Sequence, residues 1–349
     1  MRGEHSTIST AARRRQRGGA VKSFLVFSGG LALLVGLALA AGGYLAYRAA
    51  YAPGPSEAPS VMLFQKGKSV TTIAERLEEA GVIRYTELFK VAVRLRGLQD
   101  DLKAGEYEIP AGASVMEIID LLVEGKSILH FFTSPEGLTT AQMLRLVEAD
   151  EILAGEISLA PPEGALLPET YAFSRGETRD DLIRRMMKAQ DALLDALWDG
   201  RALELPISTR EEAVILASIV EKETAVADER PRVASVFINR LNRGMRLESD
   251  PTIIYGLTGG EPLGRGLRQS EIRSQTPYNT YVISGLPPTP IANPGRDSIA
   301  AVLNPMQTDD LFFVADGEGG HAFAETLREH QQNVAAWRRI ERERRGQGG

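Results

Sequence analysis

From Ser23 to Tyr47 the chain runs for 25 residues without a charged side chain, SFLVFSGGLALLVGLALAAGGYLAY. As a helix, such a run is long enough to cross a hydrocarbon core of about 30 Å. Before it stand Arg2, Arg13, Arg14, Arg15, Arg17 and Lys22 against the single acid Glu4, and Tyr44 and Tyr47 mark its far end. Basic residues stay on the cytoplasmic side and aromatic residues gather at the interface. This pattern predicts a basic cytoplasmic tail over 1–22, a single-pass transmembrane helix over 23–47, and the rest of the chain outside the cytoplasmic (inner) membrane. The competing reading is a cleaved signal peptide, with Ala38-Leu39-Ala40 as its cleavage site. The apolar run continues past that triplet and is longer than a usual signal core, which favours the uncleaved anchor. Residues 48–60, rich in proline, follow as a semi-extended linker.

The 349 residues are enough for two domains beyond such an anchor. The net charge is −6, of which residues 1–22 contribute +5, leaving −11 for the remainder. An acidic body argues against nucleic acid as a partner. The chain has no cysteine, which removes disulfides, thiol catalysis and thiolate metal sites. His321 and His330 are nine positions apart, not a metal-ligand spacing, so no metal is expected. Gly317 to Gly320 is too short for a phosphate loop, and Gly-x-Ser-x-Gly is absent. No cofactor is implied.

The periodicity predicts an α+β chain. Residues 61–127 read as a small α/β module with strands at Val61–Phe64 and Ala104–Ile109, helices at Val70–Ala80 and Tyr85–Leu95, and a third helix capped by Ser114. Gly67-Lys-Ser-Val and Gly112-Ala-Ser-Val form an imperfect internal repeat. Residues 128–342 read as one larger, helix-rich domain, and 343–349 as a charged tail. Within the larger domain, Leu166 to Phe173 reads as a loop carrying Glu169 and Tyr171. Helices are expected at Asp180–Trp198, Glu229–Arg243 and from Ser298, a strand at Leu311–Val314, and a last helix from about Thr326.

The stretch from Ser208 to Thr224 carries the chemistry. Ser208 with Glu211 forms a candidate capping box, and an apolar run from Ala213 to Val220 ends in two acids, Glu221 and Glu223. On a helix Glu223 continues the stripe of Val220, Ile219, Leu216 and Ile215, whereas Glu221 follows Ser218, Ala217, Val214 and Ala213. A carboxyl that ends an apolar stripe resists ionisation, which suits a general acid near neutral pH. The alternative is that both glutamates are solvated at a frayed helix end. Loops after Gly244 bring Glu248, Tyr255, Tyr278, Asn279, Tyr281 and Asn293 onto turns. Amides and tyrosines on proline-stiffened loops suit a carbohydrate cleft, or equally a well-packed loop.

The segments Ile215–Arg230, Val233–Leu241 and Met245-Arg-Leu-Glu-Ser-Asp-Pro251 closely resemble the endolytic murein transglycosylase (YceG-like) family. The resemblance continues through Tyr278-Asn-Thr-Tyr281, Gly285-Leu-Pro-Pro288 and Phe313–His321. It implies a LysM-like module over 61–127 and a lysozyme-like transglycosylase domain over 128–342. In related transglycosylases the acid precedes a small hydroxyl residue, as in Glu223-Thr224, so the resemblance implies Glu223 as the catalytic residue, with Glu221 as the alternative. Glu248, Tyr255, Tyr278 and Asn279 are the expected substrate-binding residues. The implied reaction cuts the N-acetylmuramic acid to N-acetylglucosamine bond within nascent peptidoglycan strands and leaves 1,6-anhydro ends, with peptidoglycan polymerases (penicillin-binding proteins) as implied partners. Two other readings stay open: a wall-binding protein without catalysis, and a hydrolytic muramidase. The muramidase needs a second carboxylate from Glu169, Glu248 or Asp250.

Overall fold

The structure, a computed structural model, describes residues 11–347. The expected basic tail therefore lies partly outside the described residues, as do the last two positions of the expected C-terminal tail. The chain is mixed α and β and divides into two compact units, residues 1–128 and 129–349.

In the first unit α1 (Ala11–Tyr51) contains the uncharged run. Its segment Gly30–Tyr51 is long and apolar enough to cross a membrane, and its leucines, among them Leu33 and Leu39, are exposed. Helix continues to Tyr51, four residues into the stretch read as linker. β1 (Ser60–Phe64), α2 (Val70–Glu79), α3 (Thr86–Arg96), β2 (Gly105–Ile109) and α4 (Val115–Glu124) follow. β1 and β2 pair antiparallel with Met62 opposite Tyr107, so that Phe64, Tyr107 and Ile109 face inward onto Leu77, Phe89 and Ile118. The two repeat units do the same job. Gly67 and Gly112 take positive φ, and Ser69 and Ser114 then cap α2 and α4 through backbone Thr72 and Glu117.

The second unit opens with β3 (Leu129–Thr133), α5 (Thr140–Ala149), β4 (Thr170–Ser174), α6 (Arg179–Trp198) and α7 (Arg210–Glu223). β4 corrects the loop expected at 166–173. Tyr171 and Phe173 alternate inward against β3, a repeat too short to register in the sequence, while the Tyr171 hydroxyl donates to Leu167 O at 2.8 Å. α8 (Arg230–Asn242), α9 (Asp250–Thr258), α10 (Gln269–Ile272) and α11 (Arg296–Leu303) come next, then the hairpin β5 (Phe312–Ala315) and β6 (His321–Ala324), and α12 (Leu327–Gln347). α9 is a further correction, since 245–256 reads as loop. Its start is Asp250-Pro251, and proline in a first turn costs no hydrogen bond. α7 packs against α8, α9 and α11, so its C-terminal end emerges among three elements.

Candidate active site

α7 starts one residue later than its sequence suggests. Thr209, not Ser208, is the N-cap, accepting from Glu212 N at 3.1 Å while the Glu212 carboxylate accepts from the Thr209 and Ser208 amides. Both pairs have capping-box spacing, and the helix uses the second. Every residue from Ala213 to Val220 is buried. The stripes leading to Glu221 and Glu223 are therefore equally dry, and it is their partners that separate the two acids.

Glu221 is tied to the start of α11 and to Arg230. Its side chain is 6 % exposed, and one carboxylate oxygen accepts from Gly295 N at 3.0 Å and Ser298 Oγ at 2.7 Å, at the start of α11. Arg230 lies 3.9 Å from its other oxygen and also meets Glu136 at 3.2 Å and Asp297 at 3.5 Å. Burial, followed by the neighbouring Glu221 charge, pushes the Glu136 carboxyl above its ordinary value.

Glu223 has a different setting. It is half-buried, and Ser249 Oγ donates to its Oε1 at 2.5 Å. Burial raises the carboxyl to about 7; the Ser249 hydrogen bond opposes this, the Asp250 charge adds to it, and His321 and Arg240 oppose it more weakly. The acid is thus poised between its charged and neutral forms near neutral pH. Ser249 is fixed on three sides: its amide donates to Thr280 Oγ1 at 2.9 Å, its carbonyl accepts from Thr252 Oγ1 at 2.7 Å, and the two threonine hydroxyls bond each other. Beside it, the Tyr281 hydroxyl donates to Asp250 at 2.8 Å.

Glu248 precedes this group with φ +52°, a left-handed conformation that costs a non-glycine residue free energy and clusters at functional sites. The turn is held by Arg240, which is buried and donates to Leu311 O at 2.7 Å, Arg246 O at 3.2 Å, Leu247 O at 3.0 Å and the Glu248 carboxylate at 3.2 Å. On the other side Glu229 accepts from His321 N at 2.8 Å and pairs with His321 Nδ1 at 2.7 Å, and its second oxygen is 3.4 Å from the hydroxyl of Thr224, the residue after Glu223.

The remaining expected residues fall in two groups. The rings of Tyr255 and Tyr278 meet at a tilt, 5.0 Å apart; the Tyr255 hydroxyl donates to Glu163 at 3.1 Å, and that of Tyr278 bonds Thr289 at 2.8 Å. They sit at the end of α9 away from Ser249. Asn279, expected in the cleft, is fully buried. Its amide donates to the carbonyls of Glu271, Ile272 and Ser274, at and just after the end of the short α10. Asn293 is likewise buried, locking Leu166 to Leu138 and Thr140. Glu169 lines a separate groove with Leu167 and Ala192. Sequence reasoning nominated neither Ser249 nor His321 for a role. Ser249 lies within the Glu-Ser-Asp-Pro segment that carries the resemblance, the one signal that pointed to it. Among the described residues, no group of three or more His, Asp or Glu is placed to hold a metal.

Comparison with known proteins shows which family the chain belongs to. The chain is 30 % identical to the endolytic murein transglycosylase of Bacillus subtilis, covering 76 % of this chain and 81 % of that protein. It is 30 % identical to the endolytic murein transglycosylase of Streptococcus pneumoniae strain D39, covering 90 % of this chain, and spans 64 % of that relative's length. A crystal structure of a yceG-like protein from Listeria monocytogenes matches 79 % of this chain and 99 % of its own at 28 % identity, with a TM-score of 0.48. The YceG-like family model matches residues 63–336, and the chain belongs to that family.

Proposed function

We propose that this protein is an endolytic lytic transglycosylase that cuts peptidoglycan strands, with Glu223 as its general acid and base. One observation carries the reading: the Glu223 carboxyl, raised to about 7 by burial and held by Ser249, closes the central helix of a YceG-family domain. Ser249 donates to Oε1, which leaves Oε2 to carry the proton. Neutral Glu223 gives that proton to the glycosidic oxygen as positive charge develops at the sugar carbon. The resulting carboxylate then takes the proton of the muramyl 6-hydroxyl, whose oxygen closes the 1,6-anhydro ring. The sugar supplies the nucleophile, so one carboxylate suffices. Asp250 and Tyr281 flank the reacting acid. Tyr255, Tyr278 and Glu248 extend the sugar-binding side, and Arg240 fixes the Glu248–Ser249 turn. Purified full-length protein should release glycan fragments from isolated peptidoglycan. An intact polymer after prolonged digestion would favour the wall-binding alternative.

A second reading has its own support. Asp250 stands near enough to raise the Glu223 carboxyl and is the best-placed second carboxylate for a hydrolase. pH profiles separate the two. A general acid works below its own pKa, so the alkaline limb of the rate follows Glu223. Ser249→Ala removes a contact that lowers this pKa and should move the limb to higher pH. Asp250→Asn removes a charge that raises it and should move the limb to lower pH, with the maximal rate retained. Loss of activity at every pH in Asp250→Asn would favour the hydrolase.

The remaining proposals concern placement. The first unit's own core supports reading 61–127 as a separate LysM-like, glycan-binding module. The exposed apolar face of Gly30–Tyr51 supports a membrane anchor with residues 61–342 outside the cytoplasm. There the enzyme would meet nascent strands beside penicillin-binding polymerases and limit strand elongation. A periplasmic-activity reporter fused after Gly349 should be active and the mature chain should keep its N-terminal residues; a new N-terminus near Ala41 rejects the anchor.

A further inference from the structure

α1 does not simply hand over to a flexible spacer. Its last turn packs against α3 and α4, with Ala50 buried. The chain after it is pinned: Gly54 N donates to Gly112 O at 3.0 Å and Gly112 N to Ser56 O at 2.8 Å. A Cβ at Gly54 would lie 2.5 Å from the Ala113 carbonyl oxygen and 2.9 Å from that of Val82, so only glycine permits this approach. Between the helix end and the loops leading into α3 and α4 lies a preformed cavity of about 470 Å³. Its walls are apolar, with Ala49, Ala52, Leu88 and Val115 among them; Arg84 and Tyr85 are its polar members, and none of its lining residues is acidic. Arg84 and Tyr85 are exposed, and among the described residues Arg84 pairs with no carboxylate.

We infer that this cavity binds an anionic membrane lipid, its acyl chain against the apolar wall and its phosphate against Arg84. The inference rests on the anchor reading. Ala49 and Ala52 belong to the final turn of the span and the residue after it, so their cavity lies at the membrane interface whatever the orientation of the rest of the unit. An apolar pocket of a few hundred Å³ with one convergent cation fits an amphiphile better than a sugar, which needs many polar partners. An exposed tyrosine at that depth is an interfacial residue. The guanidinium supplies a planar fork suited to phosphate.

The test uses the full chain in vesicles of equal parts phosphatidylcholine and phosphatidylglycerol, followed by native mass spectrometry after extraction. The expected result is one retained phosphatidylglycerol per chain. Arg84→Gln, an exposed substitution that leaves the fold intact, should cut the preference about fivefold, the share of one cation at an anionic surface. Ala52→Trp, also at an exposed position, should plug the mouth and abolish retention. Equal retention of both lipids, no retained lipid, or an Arg84→Gln variant that keeps the preference overturns the inference. Wild-type chain that leaves the vesicles in an alkaline carbonate wash contradicts the anchor itself, and the lipid inference falls with it.

Discussion

Glu223→Gln should reduce glycan cleavage by roughly 10²–10⁴-fold, the usual share of general acid–base catalysis, and should at the same time make the protein more stable above neutral pH. Both effects have one cause. Gln matches the neutral acid in shape and still accepts from Ser249, but it neither gives nor takes the proton. In the native protein the Glu223 carboxyl titrates at about 7, well above its ordinary 4.5. A group raised in the folded state contributes its full stability below the unfolded pKa and loses it as pH rises through the folded one. The window is therefore about pH 4.5 to 7. Beyond it the ionised acid costs of order 3 kcal/mol, which Gln does not incur. Thermal melting should show the variant and the parent coinciding at pH 4 and diverging by pH 8, with the variant higher. Equal melting at both values would mean that the carboxyl is not poised as described.

Glu221→Ala should act in the opposite way, as a fold mutation. Removing that carboxylate strips the acceptors from Gly295 N and Ser298 Oγ and leaves buried Arg230 with only Glu136 and the more distant Asp297. Removing one partner of a buried charge pair costs about 3–5 kcal/mol. Glu221→Gln keeps an acceptor oxygen at the α11 start and should lose less, with most of the activity retained in the folded fraction. Urea midpoints for the two variants, read beside rates normalised to folded protein, check this. If Glu221→Gln is inactive while folded, the catalytic role belongs to Glu221.

Part of this candidate site was legible in the sequence, and particular residues show where legibility stopped. The end of α7 was readable because a long apolar helix ran straight into two acids. Which acid did what was not decided by periodicity, since both stripes are buried. It depends on Ser249, 26 positions on, and on Gly295 and Ser298, more than 70 positions on. No local pattern carries such pairings. The N-cap slipped by one because Ser208-Thr209 and Glu211-Glu212 offer two boxes of equal spacing. α9 and β4 were missed for related reasons: a Glu-Ser-Asp-Pro segment reads as a turn until a helix is seen to start there, and a five-residue strand has too few alternations to register. Asn279 shows how a turn competes with a ligand for a polar side chain. A polar side chain on a turn serves the turn's own carbonyls as readily as it serves a ligand.

The central claim is that a single carboxylate, Glu223, cuts the strand without water as nucleophile. The most direct measurement is the end-group composition of fragments released from reduced peptidoglycan, read by mass spectrometry for the parent and for Glu223→Gln. The account predicts 1,6-anhydro-muramyl ends from the parent, with no new reducing ends, and neither product from Glu223→Gln. Reducing ends from the parent, or anhydro ends still accumulating with Glu223→Gln, would contradict it.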